Sequence, residues 1–390
     1  MKPVRSLAQH LANFAIQTPD APALIAGGKT WSSRRLLAEA SHRAEQIAST
    51  SAPYMLQGSA LELAFHAYAC SVKNRVFWPV HRNIPDQGAL PAPDTALIIS
   101  TSGSEGQPKA VMLSHGNLDA AAIAANQRLP LGPGDCWLAC LPLYHIGGQS
   151  ILWRCAEAGA TVLLHDGFDA ALVARDFVGR TVTHISLVPA MLALLLDAGI
   201  KPPASLRHAM IGGAALSKAL FERASRAGWP LNPSYGMSES AAQIATWTPA
   251  DGPWQEGLVG RALGDNELAI SEDGRIRLRG PQRMTGYLAA GGLDQGAWLT
   301  TGDLGKIDQH GRLTVTGRAD DMLISAGCNV HPLQVESCLA ACPGIRDIAV
   351  TGLPDSTWGD LVVALVVGSA TTDEVINWSK ARLPSAAQPR

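Results

Sequence analysis

The chain has 390 residues, of which 47% are hydrophobic and 16% charged, with a formal net charge of −2. This composition excludes a disordered chain, and the near-zero charge removes any electrostatic case for binding nucleic acid or an anionic membrane surface. The length exceeds what one small core organises and implies two domains, or one large domain with an appendage.

His10, Asn13, Gln17 and Asp20 interrupt the N-terminal stretch where a secretory signal needs an unbroken apolar run. No apolar run reaches the ~18–20 residues of a membrane span, and the run at 361–367 is strand-length. A soluble cytoplasmic protein is therefore expected. A strand-like run at 96–100 leads into Thr101, Ser102, Gly103, Ser104, Glu105, Gly106, Gln107, Pro108 and Lys109, and a helix is expected to open near 115–117. Strands at 136–141, 161–165, 184–188 and 207–211 then alternate with helices at 148–158, 170–178, 190–198 and 217–227. Pro189 stands at the start of the third helix and Ser217 caps the fourth. Short strands alternating with helices predict an α/β fold with a largely parallel sheet.

The character changes after Gly260. Strands at 267–271, 275–279 and 312–316, with turns at Asp273-Gly274 and His310-Gly311, read as a small antiparallel β unit. A charged junction, Arg318-Ala319-Asp320-Asp321, precedes a short α+β tail with a helix at 332–341, strands at 347–351 and 361–367, and a helix at 373–383. Two cysteine pairs, Cys136/Cys140 and Cys338/Cys342, are each four apart, but neither completes a zinc ligand set. The seven cysteines are expected to be buried, reduced thiols.

The 101–109 stretch is rich in small and hydroxyl-bearing residues. Its glycines let the backbone close around a polyanion, its N–H groups and hydroxyls can donate to phosphate oxygens, and Lys109 adds a full charge. The Walker A spacing is absent. A solvated Ser/Gly turn is the competing reading. Four downstream clusters each carry a similar choice. Gly212, Gly213 and Ala214 end a strand, where a flat ring can lie against the backbone, or form a plain turn. Tyr235, Gly236, Ser238 and Glu239 offer a stacking face, a hydroxyl and a hard oxygen ligand for Mg²⁺, or Ser238 is only a cap. Asp303, in Thr301-Gly302-Asp303, can accept two ribose hydroxyls or sit in a surface turn. Residues 317–327 place Arg318 near an anion and flank a junction with glycines, as a hinge or a solvated linker.

In this order and at these separations, the five clusters resemble the acyl-adenylate-forming superfamily of acyl-CoA synthetases, from about residue 76 to the C-terminus. Leu141 to Gln149, Trp153-Arg154, Ser186 to Pro189 and Ile211 to Ala215 are similar to the o-succinylbenzoate–CoA ligases of menaquinone biosynthesis. The resemblance implies an ATP- and Mg²⁺-dependent ligase that forms acyl-AMP and then acyl-CoA, with coenzyme A as a substrate. It implies a large N-terminal domain of stacked αβ subdomains with a small β unit, residues 1–319, and a short α+β C-terminal domain, residues 320–390, after a hinge at Asp320. Thr101, Ser102, Gly103, Ser104, Gly106 and Lys109 would hold the phosphates. Gly213, Ala214, Tyr235 and Gly236 would frame adenine, Ser238 would sit near the α-phosphate, and Glu239 would hold Mg²⁺. Asp303 and Arg318 would bind ribose, while Ala326 and Gly327 would border the path of the coenzyme A thiol. His145 and Gly212 would stand beside the acyl group. Arg154, on an otherwise apolar helix, would meet a second substrate carboxylate, directly or through water. A homodimer is common among such ligases.

Three departures qualify the resemblance. Glu105 stands where a Thr is usual, a carboxylate among phosphate ligands. Ser238 replaces Thr and keeps the hydroxyl. The sequence carries no Gly-rich loop with the usual C-terminal lysine, Lys380 lying instead in a helix, and the region before Thr95 is short. Slow adenylation is the expected consequence. The competing activities are ligation of another aryl or medium-chain acid, loading of a carrier-protein thiol, and nucleotide or acyl-AMP binding without full catalysis.

Overall fold

A computed structural model of the chain describes residues 3–81, 89–101, 109–294, 296–355 and 357–390. Among them the strands form three sheets. The largest holds a parallel core whose strands lie in the order Pro22–Ala26, Thr161–Leu164, Cys136–Ala139, His184–Leu187, His208–Ile211 and Leu231–Met237. The chain steps outward from 136–139 to 161–164, then returns across to 184–187. That reversal opens a crevice beyond the C-terminal strand ends, where ligands bind in open α/β sheets.

Side-chain alternation fixes the layers. From Cys136–Ala139, Trp137 and Ala139 enter one core while Cys136 and Leu138 enter another on the opposite face. The first core is shared with a second sheet, to which Thr95–Thr101 and Lys109–Ser114 contribute Leu97, Ile99, Val111 and Leu113. The helices Leu7–Gln17, Ala60–Lys73, His115–Arg128 and Ile146–Ala158 place their buried faces in that same core. The next residues along the second sheet's strands, Ile98, Ala110 and Met112, point the other way into a smaller cluster. Both sheets are covered on two faces, which accounts for the continuous apolar runs in their strands.

The elements anticipated from the sequence are present with small shifts at their ends. Ser217 caps Lys218–Arg226 by accepting from Leu220 N, and Pro189 opens Pro189–Asp197. The antiparallel strands after Gly260 form a β unit around a core of Ile244, Val259, Ile276, Leu278 and Leu313, and its sheet is continuous with the parallel one. Ala242–Thr246, Leu258–Ala262, Arg312–Arg318, Leu299–Ile307, Arg275–Arg279 and Glu267–Ile270 continue the parallel sheet outward from Leu231–Met237. The pairing of Leu258–Ala262 with Arg312–Arg318 spans more than fifty residues, a separation local patterning does not encode.

A third sheet, Leu323–Ser325, Cys328–Val330, Ile345–Asp355 and Gly359–Gly368, packs with Pro332–Ala340 and Thr372–Lys380 around its own core of Val330, Val335, Leu339, Val350, Val362 and Val375. The cysteines are free. Cys328 is exposed and Cys338 half-buried, which corrects the expectation that all are buried. Burial pushes the Cys136 and Cys140 thiols up to about 12, so both are inert thiols rather than ligands. Among the described residues no helix is long and apolar enough to cross a membrane.

Candidate active site

A cleft of about 3240 Å³ opens at the C-terminal strand ends and extends to the third sheet. It is several times larger than the roughly 300–1,000 Å³ of a single small-ligand pocket, so it has room for two substrates together. The four downstream sequence clusters all reach it. Thr101 and Lys109 border it at the loop end of the 95–114 hairpin. Ser102, Gly103, Ser104, Glu105 and Gly106 lie outside the described residues.

Gly212, Gly213 and Ala214 follow His208–Ile211 at the cleft wall. A Cβ on Gly212 would stand 2.8 Å from Ser234 Oγ, and Gly213 has φ +78°, so both positions favour glycine. Gly236 is tighter still, since its Cβ would run into the carbonyl of Ala242. Tyr235 turns its hydroxyl to Asp303, donating to Oδ2 at 2.7 Å. Burial, and then the nearby Asp303 carboxylate, raises its pKa, so the phenol remains a donor. Asp303 also pairs with Arg318, Nη1 to Oδ1 at 3.4 Å, and Arg318 Nη2 lies 3.7 Å from Asp320 Oδ2. Cross-strand pairing of Asp303 with Arg318 sets that contact.

Ser238 and Glu239 begin a short 3₁₀ turn, Ser238–Ser240, at the cleft. The next two residues, Ala241 and Ala242, have φ of +52° and +93°, strained values for side-chain-bearing residues. Ser240 holds the turn, accepting from Met237 N at 3.0 Å and donating to Ala242 O at 2.7 Å. Glu239 Oε1 accepts from the Tyr287 hydroxyl at 3.0 Å, and Lys109 Nζ lies 5.8 Å from the centre of the Tyr287 ring. The sequence reading missed Tyr287. Its signal was the Gly286-Tyr287 pair after Gly280-Pro281, a loop that only the fold carries to Glu239. Among the described residues no group of three His, Cys, Asp or Glu forms a metal cage. One carboxylate beside bound phosphates is nevertheless the usual protein share of a Mg²⁺ site, and Glu239 fits it.

At the other end of the cleft His145, Leu141 and Ser186 line the wall. His145 precedes Ile146–Ala158 without a side-chain cap, 4.7 Å from the Tyr144 ring. Desolvation, and secondly His81, lower its pKa, which favours neutral imidazole. Tyr144 also lies 5.2 Å from the His81 ring, a second residue missed from sequence. Arg154 is not a cleft-lining residue. It is 1% exposed, over the Trp137 ring at 5.2 Å, with Nη1 3.6 Å from the sulfur of Met210. Its Nε and Nη2 are buried without hydrogen-bond partners, and desolvation lowers its pKa to about 10. Met210 is a cleft residue, so one flexible thioether separates the guanidinium from the cleft. Ala326 and Gly327, both at positive φ, form the turn between Leu323–Ser325 and Cys328–Val330. In the domain orientation described here they do not border the cleft, whereas Asp320 does.

The polar groups Lys109, Glu239, Asp303 and Arg318 and the wall of Leu141, His145 and Ser186 thus line one continuous cleft at the strand termini. Residues 56–288 match the AMP-binding enzyme family and residues 334–390 the AMP-binding enzyme C-terminal domain, so the chain belongs to the AMP-binding enzyme family. It is 36% identical over 314 residues to a 2-succinylbenzoate–CoA ligase of Bacillus cereus, covering 76% of this chain and 65% of that one. A 2-succinylbenzoate–CoA ligase of Bacillus mycoides matches with the same identity and coverage. The chain thus spans about 65% of the length of the curated relatives it matches. Among solved structures, the o-succinylbenzoate–CoA synthetase of Bacillus subtilis in complex with the acyl-adenylate OSB-AMP superimposes with a TM-score of 0.86 at 28% identity, covering 97% of this chain and 93% of that one. The same enzyme in complex with ATP and magnesium ion gives 0.83 at 28% identity, covering 97% and 94%.

Proposed function

We propose that the chain is an ATP-dependent acid–thiol ligase that forms an acyl-adenylate and then an acyl-CoA. The observation that carries this reading is the convergence on one cleft of clusters that stand far apart in sequence: Lys109, Gly212 to Ala214, Tyr235 to Glu239, Asp303 and Arg318. In the first step a carboxylate oxygen of the acid attacks the α-phosphorus of ATP, the bond to the bridging oxygen breaks, and pyrophosphate leaves. Lys109 and Thr101 stand at the phosphates, and Ser238 beside the α-phosphate. Mg²⁺, held by Glu239, would offset the charge on the phosphate oxygens. Gly213, Ala214, Tyr235 and Gly236 frame adenine, while Asp303 accepts from the ribose hydroxyls and Arg318 donates to them. In the second step the sulfur of coenzyme A attacks the acyl carbonyl carbon, and AMP leaves with the oxygen. A hinge at Asp320 turns residues 320–390 against residues 1–319 between the steps, bringing Ala326 and Gly327 to the thiol's path.

The acid in this reading is o-succinylbenzoate or a similar aromatic dicarboxylate, and the activity serves menaquinone biosynthesis. The activity of the 2-succinylbenzoate–CoA ligases that the chain resembles supports it, as does Arg154. A buried guanidinium without an acid partner is costly, and a second substrate carboxylate reaching past Met210 would compensate it. His145 and Gly212 then flank the activated carboxyl. A cytoplasmic location agrees with the free thiols. A homodimer belongs to the same reading, and light scattering decides it.

ATP–pyrophosphate exchange with a panel of acids, followed by a coenzyme A assay, is the test. The expected result is exchange and thioester formation strongest with o-succinylbenzoate, with Arg154→Ala lowering kcat/KM for the dicarboxylate by about 10²-fold and sparing benzoate. Equal effects on both acids would remove the role given to Arg154. No exchange with any acid would leave a nucleotide-binding protein, and acyl transfer to a carrier thiol in preference to coenzyme A would change the acceptor.

A further inference from the structure

One segment, residues 280–288, joins the strand that begins at Lys109 to the turn that carries Glu239. Gly286–Tyr287 pairs antiparallel with Lys109–Ser114, Tyr287 opposite Val111. Lys109 and Val111 share a face of their strand, so Tyr287 and Lys109 are diagonal cross-strand neighbours, within reach of an aromatic and a long side chain. The ring lies against the Lys109 ammonium at 5.8 Å, while the hydroxyl donates to Glu239 Oε1 at 3.0 Å. Among the described residues no other side chain or backbone group donates to the Glu239 carboxylate. Met284 N, three residues earlier, donates to Glu239 O at 2.8 Å, so the segment holds Glu239 by both backbone and side chain.

The segment itself is firmly anchored. Gln282 is fully buried and donates to Ser240 O and Gln243 O, at 3.1 and 2.9 Å. Asn117, the residue that completes the capping box of His115–Arg128, donates to Pro281 O and Arg283 O, both at 2.8 Å. Thr285 donates to Met112 O through both its N–H and its hydroxyl. Such anchoring restrains the tyrosine hydroxyl, as the positioning of a charge-holding site requires.

We propose that Tyr287 is a positioning residue for the metal–nucleotide complex. Its hydroxyl holds one oxygen of Glu239 so that the other faces the cleft, and its ring holds Lys109 on the phosphate side, so that cation and carboxylate are set by one side chain. The inference rests on the ligase reading but concerns ATP binding before any acid reacts, so the two fail separately.

The test uses the full chain with Tyr287→Phe, Tyr287→Leu and Glu239→Gln, and reads ATP affinity by calorimetry with Mg²⁺ and with EDTA, AMP affinity, and melting temperature. Tyr287→Phe is expected to weaken ATP binding about 10- to 100-fold in Mg²⁺, the worth of one hydrogen bond to a charged group, while leaving AMP affinity, ATP affinity in EDTA and the melting temperature as in the wild type. In the Glu239→Gln background the same change is expected to have little further effect, because the two side chains act as one unit. Tyr287→Leu is expected to weaken ATP binding in EDTA as well, through the loosened Lys109. Unchanged Mg²⁺-dependent affinity in Tyr287→Phe, full additivity with Glu239→Gln, or a wild-type chain whose ATP affinity is indifferent to Mg²⁺ would each overturn the proposal. Absence of pyrophosphate exchange alongside the expected binding pattern would sink the ligase reading and leave this one standing.

Discussion

The two ends of the cleft are built on opposite principles. At the nucleotide end the charged groups already have partners: Tyr235 with Asp303, Arg318 with Asp303 and Asp320, Tyr287 with Glu239. Behind the wall at the other end Arg154 is buried with two nitrogens unpartnered, and His184, outside the cleft lining, is fully buried, stacks at 4.9 Å on the same Trp137 ring that Arg154 overlies, and keeps Nε2 without a partner. Donors fixed before the ligand arrives cost little reorganisation when charge develops, which suits a group common to every turnover. An uncompensated cation behind an apolar wall destabilises the free protein and rewards only a ligand that brings the matching charge. On the proposed ligase reading, the polar end serves affinity and geometry and the other end serves discrimination.

Three changes would break or sharpen that contrast. The largest effect is expected at the nucleotide end, where Lys109→Ala or Glu239→Ala should raise the adenylation barrier by about 2.7–4 kcal/mol, the range for a well-placed transition-state donor. Pyrophosphate exchange under saturating acid reads it, and an effect below tenfold would mean that neither group meets the phosphates. Next, Arg154→Met should raise stability by about 1–4 kcal/mol, because an apolar side chain of similar length replaces an unpaired buried charge. Urea denaturation of the ligand-free chain measures this, and a loss of stability would show that the guanidinium is compensated at rest.

The smallest effect is a pH dependence. Desolvation, and then His208, lower the His184 pKa from 6.5 to about 3. Below pH 6.5 the unfolded chain therefore takes up a proton at this residue that the folded chain refuses. The His184 contribution to stability is full above 6.5 and is lost as pH falls toward 3. At about 1.4 kcal/mol per unit, the loss between pH 6.5 and 5 is roughly 2 kcal/mol. His184→Gln should flatten the stability–pH curve across that window, and an unchanged slope would place the titration elsewhere.

Much of this was legible in the sequence because it was written locally. The strand before Thr101, the Ser217 cap and the Pro189 helix start depend on neighbouring residues, and the structure has them where the pattern put them. The α/β class followed from the alternation of those elements. The clusters at 212–214, 235–239 and 303 stood out because glycines and hydroxyls broke apolar runs. Tyr287 carried only the local signal of Gly286-Tyr287 after Gly280-Pro281, which does not point to Glu239, far along the chain and joined to it by sheet pairing. Arg154 read as a charge on an apolar helix, which told that it was unusual but not that Met210 would close over it. The merging of the antiparallel strands with the parallel sheet was equally hidden, because the pairing of Leu231–Met237 with Ala242–Thr246 includes a register shift no local pattern announces.

The left-handed backbone at Ala241 and Ala242 has a thermal consequence. A conformation that alanine resists is kept in place by the buried amide of Gln282 and the hydroxyl of Ser240, rather than by its own preferences. When heating loosens those holds, the turn is the first stretch with something to gain by letting go, and Glu239 goes with it. On the proposed role of Glu239, the expected outcome is a loss of ATP–Mg²⁺ affinity on heating below the temperature at which far-ultraviolet circular dichroism reports loss of the sheets.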